Sequence, residues 1–268
     1  MADFKWIELL TAALGGGFTV KILDILYQEI RLRSDRLLST QHVVDEHLDP
    51  LLKAADELVG KLRSLADEDF KRLYDVNPSF DSIVDHDFSS LLFLLAKLWA
   101  NIEIIRIDGP SVTLVKDVRG QQLQSFLDCI ESRRVRIVDR MSQRAVGEIM
   151  LMRHNGGRET IAFIDFVRLI ENDPKLLRWV SPVTHILSRT RNTWERQKLL
   201  QYGVVIHAMI DTLDPKHLVT SERPSYPNKL SKNTWRDLKY RVFGQYLKFV
   251  SDPEKYLGPP KKRGPKKV

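Results

Sequence analysis

The chain has 268 residues, of which 43 % are hydrophobic and 29 % charged, a composition that can bury a core and excludes wholesale disorder. Its single cysteine, Cys129, excludes an internal disulfide framework and fits a reducing compartment. The net charge of +7 is uneven: from Lys216 onward 14 Lys and Arg face 4 acids, a net of +10, which leaves −3 on the first 215 residues.

The first element, residues 1–36, contains FKWIELLTAALGGGFTVKILDILYQEIRLRSDR. Between Glu8 and Lys21 lie 12 uncharged residues, short of the roughly 20 that span a bilayer. The wider window from Trp6 to Tyr27 is long enough, and its charges fall near the ends. Its ten Leu, Ile, Val and Phe residues together favour insertion by about 3 to 6 kcal/mol. Gly15, Gly16 and Gly17 each cost roughly 1 kcal/mol in a water-exposed helix, yet in lipid Ala12/Gly16 and Ala13/Gly17 permit close helix contact. Trp6 and Tyr27 stand where an aromatic belt would, with Leu14 and Phe18 between them. Three readings compete: a single-pass anchor, an amphipathic surface or core helix, and a cleaved leader. The acidic residues Asp3 and Glu8 count against the leader. If the segment spans, Lys21, Arg31, Arg33 and Arg36 keep the body on the cytoplasmic side.

Residues 37–215 read as a helical domain. HLDPLLKAADELVGKLRSLADEDFKRLY puts Leu48, Leu51, Leu52, Ala55, Leu58, Val59, Leu62, Leu65 and Ala66 on one face, with Asp49 as cap and Pro50 at the first helical position. FSSLLFLLAKLWANIEII is nearly apolar, but Lys97, Asn101 and Glu103 interrupt it, so a buried core helix is expected rather than a second span. DGPSVTLVKD breaks the pattern as a loop or lone strand. Helical periodicity resumes through GQQLQSFLDCIESRRVRIVDRMSQRAVGEIMLM, RHNGGRET reads as a turn, and TIAFIDFVRLIEND and LLRWVSPVTHIL are shorter amphipathic pieces. NTWERQKLLQYGVVIHAMIDTLDP opens with a capping box, Asn192 to Glu195, and stops at Asp214-Pro215. A proline-rich linker, 216–229, leads to an amphipathic helix, 230–256. That helix carries a second capping box, Thr234 to Asp237, and a stripe of Trp235, Leu238, Val242, Tyr246 and Val250. The expectation is an all-α fold of about seven or eight helices.

Sequences with chemistry are sparse. No pair among His42, His47, His86, His154, His185, His207 and His217 has a helical metal-ligand spacing; His42 and His47 lie roughly 140° apart around a helix. DEH at Asp45–His47 and DHD at Asp85–Asp87 read as turns or caps. His207, within VVIHAMI, reads as a buried core histidine, and Cys129 as a small apolar residue rather than a nucleophile. No nucleophile elbow, phosphate-binding loop, dinucleotide fingerprint or His-Glu-x-x-His occurs. Arg133, Arg134, Arg136, Arg140 and Arg144, interleaved with Glu131 and Asp139, read as a solvated face.

HLDPLLKAADEL, QRAVGEIM and IDTLDP, in that order behind a glycine-bearing hydrophobic segment, resemble a group of uncharacterised bacterial proteins. The likeness runs from Trp6 to Pro215. It implies a membrane-tethered helical body and supplies no activity and no cofactor.

The tail, 257–268, holds Lys261, Lys262, Arg263, Lys266 and Lys267 with no acid, broken by Gly and Pro. An anionic membrane surface, nucleic acid, or no partner at all are the readings of these charges, at about 1 kcal/mol per cation against an anionic leaflet. The resulting expectation is a non-enzymatic, membrane-anchored interaction module whose body binds another protein. The alternative is a soluble helical protein that binds nucleic acid through its basic C-terminal region.

Overall fold

The computed structural model describes residues 47–74, 76, 85–108, 118–154, 157–224 and 229–258. Residues 1–46, with the proposed anchor positions Trp6, Leu14, Gly15, Gly16, Gly17, Phe18 and Tyr27, lie outside the described residues. So do Lys261, Lys262, Arg263, Lys266 and Lys267 of the tail, and the loop-or-strand stretch 109–117.

The fold is all-α. Helix α1 covers 47–67 and is followed by a 3-10 turn, Lys71–Leu73. Then come α2 (His86–Asp108), α3 (Val118–Glu131), α4 (Arg140–Ile149), α5 (Phe163–Asn172), α6 (Pro174–Ser188) and α7 (Thr193–Leu213). Helix α8 (Lys232–Asp237) runs directly into a π-helical stretch, Leu238–Tyr246, and α9 (Glu254–Leu257) ends the described chain. The one sheet among the described residues is a hairpin of β1 (Leu151–His154) and β2 (Gly157–Thr160) in register Leu151↔Thr160 to His154↔Gly157.

Helix α2 explains the arrangement. Thirteen of its 23 residues are buried, on all but one side of the helix, where Ser90, Phe93, Lys97 and Ile104 form a half-buried stripe. It is long and apolar enough to cross a membrane by composition, but 72 % of that window is buried inside the protein. The polar interruptions are answered locally. Lys97 bonds Glu57 at 2.7 Å, Asn101 Nδ2 donates to the Lys97 carbonyl at 2.8 Å, and Glu103 pairs with Arg106. Helix α1 lies antiparallel beside it, tied by that Lys97–Glu57 pair and by Lys61–Asp87 at 2.5 Å. All nine apolar positions assigned to the inner face of α1 are buried. Residues 47–50 are already helical, so Asp49 is not the cap and Pro50 sits within the turn.

Helix α4 packs closely on α2, and a glycine permits it. An added Cβ on Gly147 would stand 2.8 Å from the Trp99 carbonyl carbon and 2.9 Å from its oxygen, inside contact distance of a backbone that cannot yield. On the far side, the Trp99 indole Nε1 donates to the Tyr202 hydroxyl at 2.8 Å, which joins α2 to α7 across the core. Fourteen residues of α7 are buried, making it the second central helix.

Three local expectations are corrected. Helical periodicity does not continue from 118 to 152: the chain breaks after Glu131, restarts when the Asp139 carboxylate accepts the N–H groups of Met141 and Ser142 at 3.0 Å, and turns into strand at Leu151. The two sides of RHNGGRET are strands, Arg153 and His154 in β1 and Gly157 to Thr160 in β2, rather than the ends of helices. Neither capping box forms as read. Asn192 is the N-cap of α7, but its side chain makes no capping bond, and Glu195 is buried instead. Ser231 caps α8 by accepting the Thr234 N–H at 3.2 Å.

The end of α7 is as expected, with Asp214 at the C-cap. Burial acts against the Asp214 carboxylate, but the N–H groups of Leu218, Val219 and Thr220 and the Thr220 hydroxyl hold its pKa below the ordinary range. The linker stretch is tied down where described. Arg223 makes a bidentate pair with Asp56 at 2.6 and 2.9 Å, and Lys229 bonds Asp69 at 3.0 Å.

Because the Gly147 contact is with backbone, Gly147→Ala is expected to lower stability by about 1–3 kcal/mol. Denaturant unfolding measures this, and an unchanged midpoint would show that α4 can move off α2.

Candidate functional site

The π-helical stretch sets up the most functional-looking surface. Hydrogen bonds from i to i+5, such as Leu247 N–H to the Val242 carbonyl at 3.1 Å, widen the turn and change which residues face inward. Leu238, Val242, Phe243, Leu247 and Val250 take the inner positions. Tyr246, read as part of the buried stripe, is exposed. Phe243 stacks on Tyr256 with centroids 6.1 Å apart, which holds the wide turn against α9. The outer face then presents Arg236, Asp237, Tyr240 and Arg241 together.

These residues form one wall of a groove of about 740 Å³. Arg133 and Arg134, from the break after α3, and Trp194, Lys198 and Gln201, from α7, supply the rest. Five cations therefore surround a single carboxylate, Asp237. Asp237 bonds Arg241 at 3.1 Å and lies 3.5 Å from both Arg134 and Gln201. Arg133, Arg236 and Lys198 have no carboxylate at ion-pair distance among the described residues. Burial lowers the Lys198 pKa; Arg136 adds to the effect, and Asp237 opposes it. Trp194 is 59 % exposed and Tyr240 60 % exposed, and the Lys198 ammonium lies 5.6 Å from the Trp194 ring centroid.

The arginine series that reads as one solvated face is split by the break between α3 and α4. Arg133 and Arg134 turn to the groove. Arg140 bonds Glu131 at 2.7 Å, Arg144 lies 3.8 Å from both Glu103 and Glu131, and Arg106 bridges the same two acids. Burial raises the Glu103 pKa, against the pull of those arginines.

A second cluster gathers at the C-terminal end of α7. His207 Nε2 and His217 Nε2 each lie 3.7 Å from Asp211 Oδ1. Tyr256 and Lys255 donate to Asp211 Oδ2 at 3.1 and 2.6 Å, docking α9. Burial lowers the His207 pKa, with Lys255, Arg63 and Arg223 adding to it and Asp211 opposing it. Nothing in the sequence announces this convergence, because the Asp214 turn folds His217 back toward α7. Among the described residues no group of three His, Cys, Asp or Glu side chains has the geometry of a metal site.

The DHD motif has a structural explanation, whereas DEH lies, but for His47, outside the described residues. Asp85 accepts the Phe88 N–H at 2.8 Å as a helix cap, and Asp87 pairs with Lys61. A second groove of about 420 Å³, near His47 and the hairpin, is crossed by the Arg158–Asp108 pair. No family model, curated protein or solved structure matches the chain, so the functional reading rests on its own residues.

Cys129 is fully buried, and burial, helped by the neighbouring Asp128 charge, pushes its thiol up to about 12. Thiol titration with an aromatic disulfide at mildly alkaline pH should find no reactive group in the folded chain and one equivalent after denaturation. Rapid labelling of the native protein would mean that Cys129 is accessible.

Proposed function

We propose that the helical body binds nucleic acid through the groove between the α3–α4 break, α7 and the α8–π helix. The observation that carries this reading is five cationic side chains around one acid, with two exposed aromatic rings among them. Guanidinium groups suit phosphodiesters because they donate bidentate hydrogen bonds in a planar fork. The C-terminal excess of positive charge adds long-range attraction that falls with salt. Such binding is insensitive to base sequence in its electrostatic part.

Fluorescence anisotropy with a labelled oligonucleotide tests the reading. Affinity should fall as salt rises, and Arg133→Ala with Arg134→Ala should reduce the logarithmic salt slope by about 2. Asp237→Asn should strengthen binding, since it removes the groove's one negative charge. Absence of binding at low salt, or an Asp237→Asn variant that binds more weakly while folded, would overturn it.

A second reading rests on the three glycines among leucines in the opening segment. Trp6 to Tyr27 anchors the chain in a membrane, the body stays on the cytoplasmic side as an interaction module, and Lys261, Lys262, Arg263, Lys266 and Lys267 rest on anionic lipid. The full chain should then sediment with membranes and need detergent for release, while a version starting at Arg31 stays in the supernatant. Recovery of the full chain in the soluble fraction without detergent would remove this reading and leave the groove untouched.

A further inference from the structure

We propose that the groove takes single-stranded rather than duplex nucleic acid, with unpaired bases stacked on Trp194 and Tyr240; this rests on the nucleic-acid reading above. The cationic wall alone does not distinguish the two, because both offer phosphates. The aromatic rings do. An indole and a phenol, 59 % and 60 % exposed, leave large apolar faces in water unless something flat covers them. In a duplex the base faces are already stacked on one another, whereas a single strand offers a free π-face at every base.

The shape agrees. Proteins read duplex grooves by inserting a protruding helix or ribbon, but here the charged surface is a concave groove of about 740 Å³. Trp194 and Tyr240 stand on different elements, α7 and the π-helical stretch, so a strand lying in the groove meets a ring on each wall. Lys198 lies 5.6 Å from the Trp194 ring centroid, with Arg133 and Arg134 lining the same groove. A phosphate lying between them would face all three cations at once. The π-helical register turns Phe243 into the core, while Tyr240 on the same stretch faces out.

The test compares a labelled single strand, as RNA and as DNA, with the duplex of the same sequence and with poly-glutamate, a polyanion without bases. The single strand should bind at least about tenfold more tightly than either. Trp194→Ala and Tyr240→Ala should each weaken single-strand binding by about five- to a hundredfold and leave the salt slope unchanged. Trp194→Phe and Tyr240→Phe, which keep a flat ring, should retain most of it. Both positions are exposed, and thermal melting verifies that the variants fold. Equal affinity for strand and duplex with harmless alanine variants overturns the stacking inference and leaves the nucleic-acid reading standing. Poly-glutamate binding as tight as the single strand also overturns stacking. Failure of every nucleic acid to bind removes the underlying reading itself.

Discussion

The structure depends on enclosing α2. A 23-residue helix buried over most of its circumference is stable in water only if other elements cover that surface. That requirement recruits α1 through its apolar face, α4 through the Gly147 approach and α7 through the Trp99–Tyr202 hydrogen bond. It also accounts for the polar groups on α2. Asn101 and Glu103 are tolerated in the interior because each has a partner within its own helix, so burial strands no unsatisfied group.

Charge is used in two different ways on either side of the break after Glu131. Toward the core, Glu103 and Glu131 engage Arg106, Arg140 and Arg144 and so link α2, α3 and α4. Such a network contributes little net stability but penalises any arrangement that separates its members. Toward solvent, Arg133 and Arg134 join Lys198, Arg236 and Arg241, and among the described residues only Asp237 answers them. The first set is paired and structural. The second keeps an excess of positive charge, which is the condition for attracting a polyanion.

The π-helical stretch couples packing to that surface. Wide turns are costly and persist where tertiary contacts reward them. Here the reward is the placement of Phe243 and Leu247 in the core, with Phe243 stacked on Tyr256, whose own ring meets His207 edge-on at 5.3 Å. The same wide turn leaves Tyr240 and Arg241 on the groove wall. A packing demand at one face thereby sets the chemistry of the other.

Period and composition were enough to determine the all-α class, the buried face of α1, the interior fate of α2 and the stop of α7 at Asp214, because each follows from side chains near one another in the chain. The burial of Cys129 and His207 was legible for the same reason. Only tertiary structure decided where the run 118–152 breaks, that Leu151–His154 pairs as strand, and that Ser231 rather than Thr234 caps α8. It alone brought Arg133, Trp194 and Arg236 to one groove and His207 and His217 to one carboxylate. An apolar stripe specifies which face turns inward but not the hydrogen-bond period at which the helix winds. Packing against α9 selects that period here, and with it the side chains that line the groove.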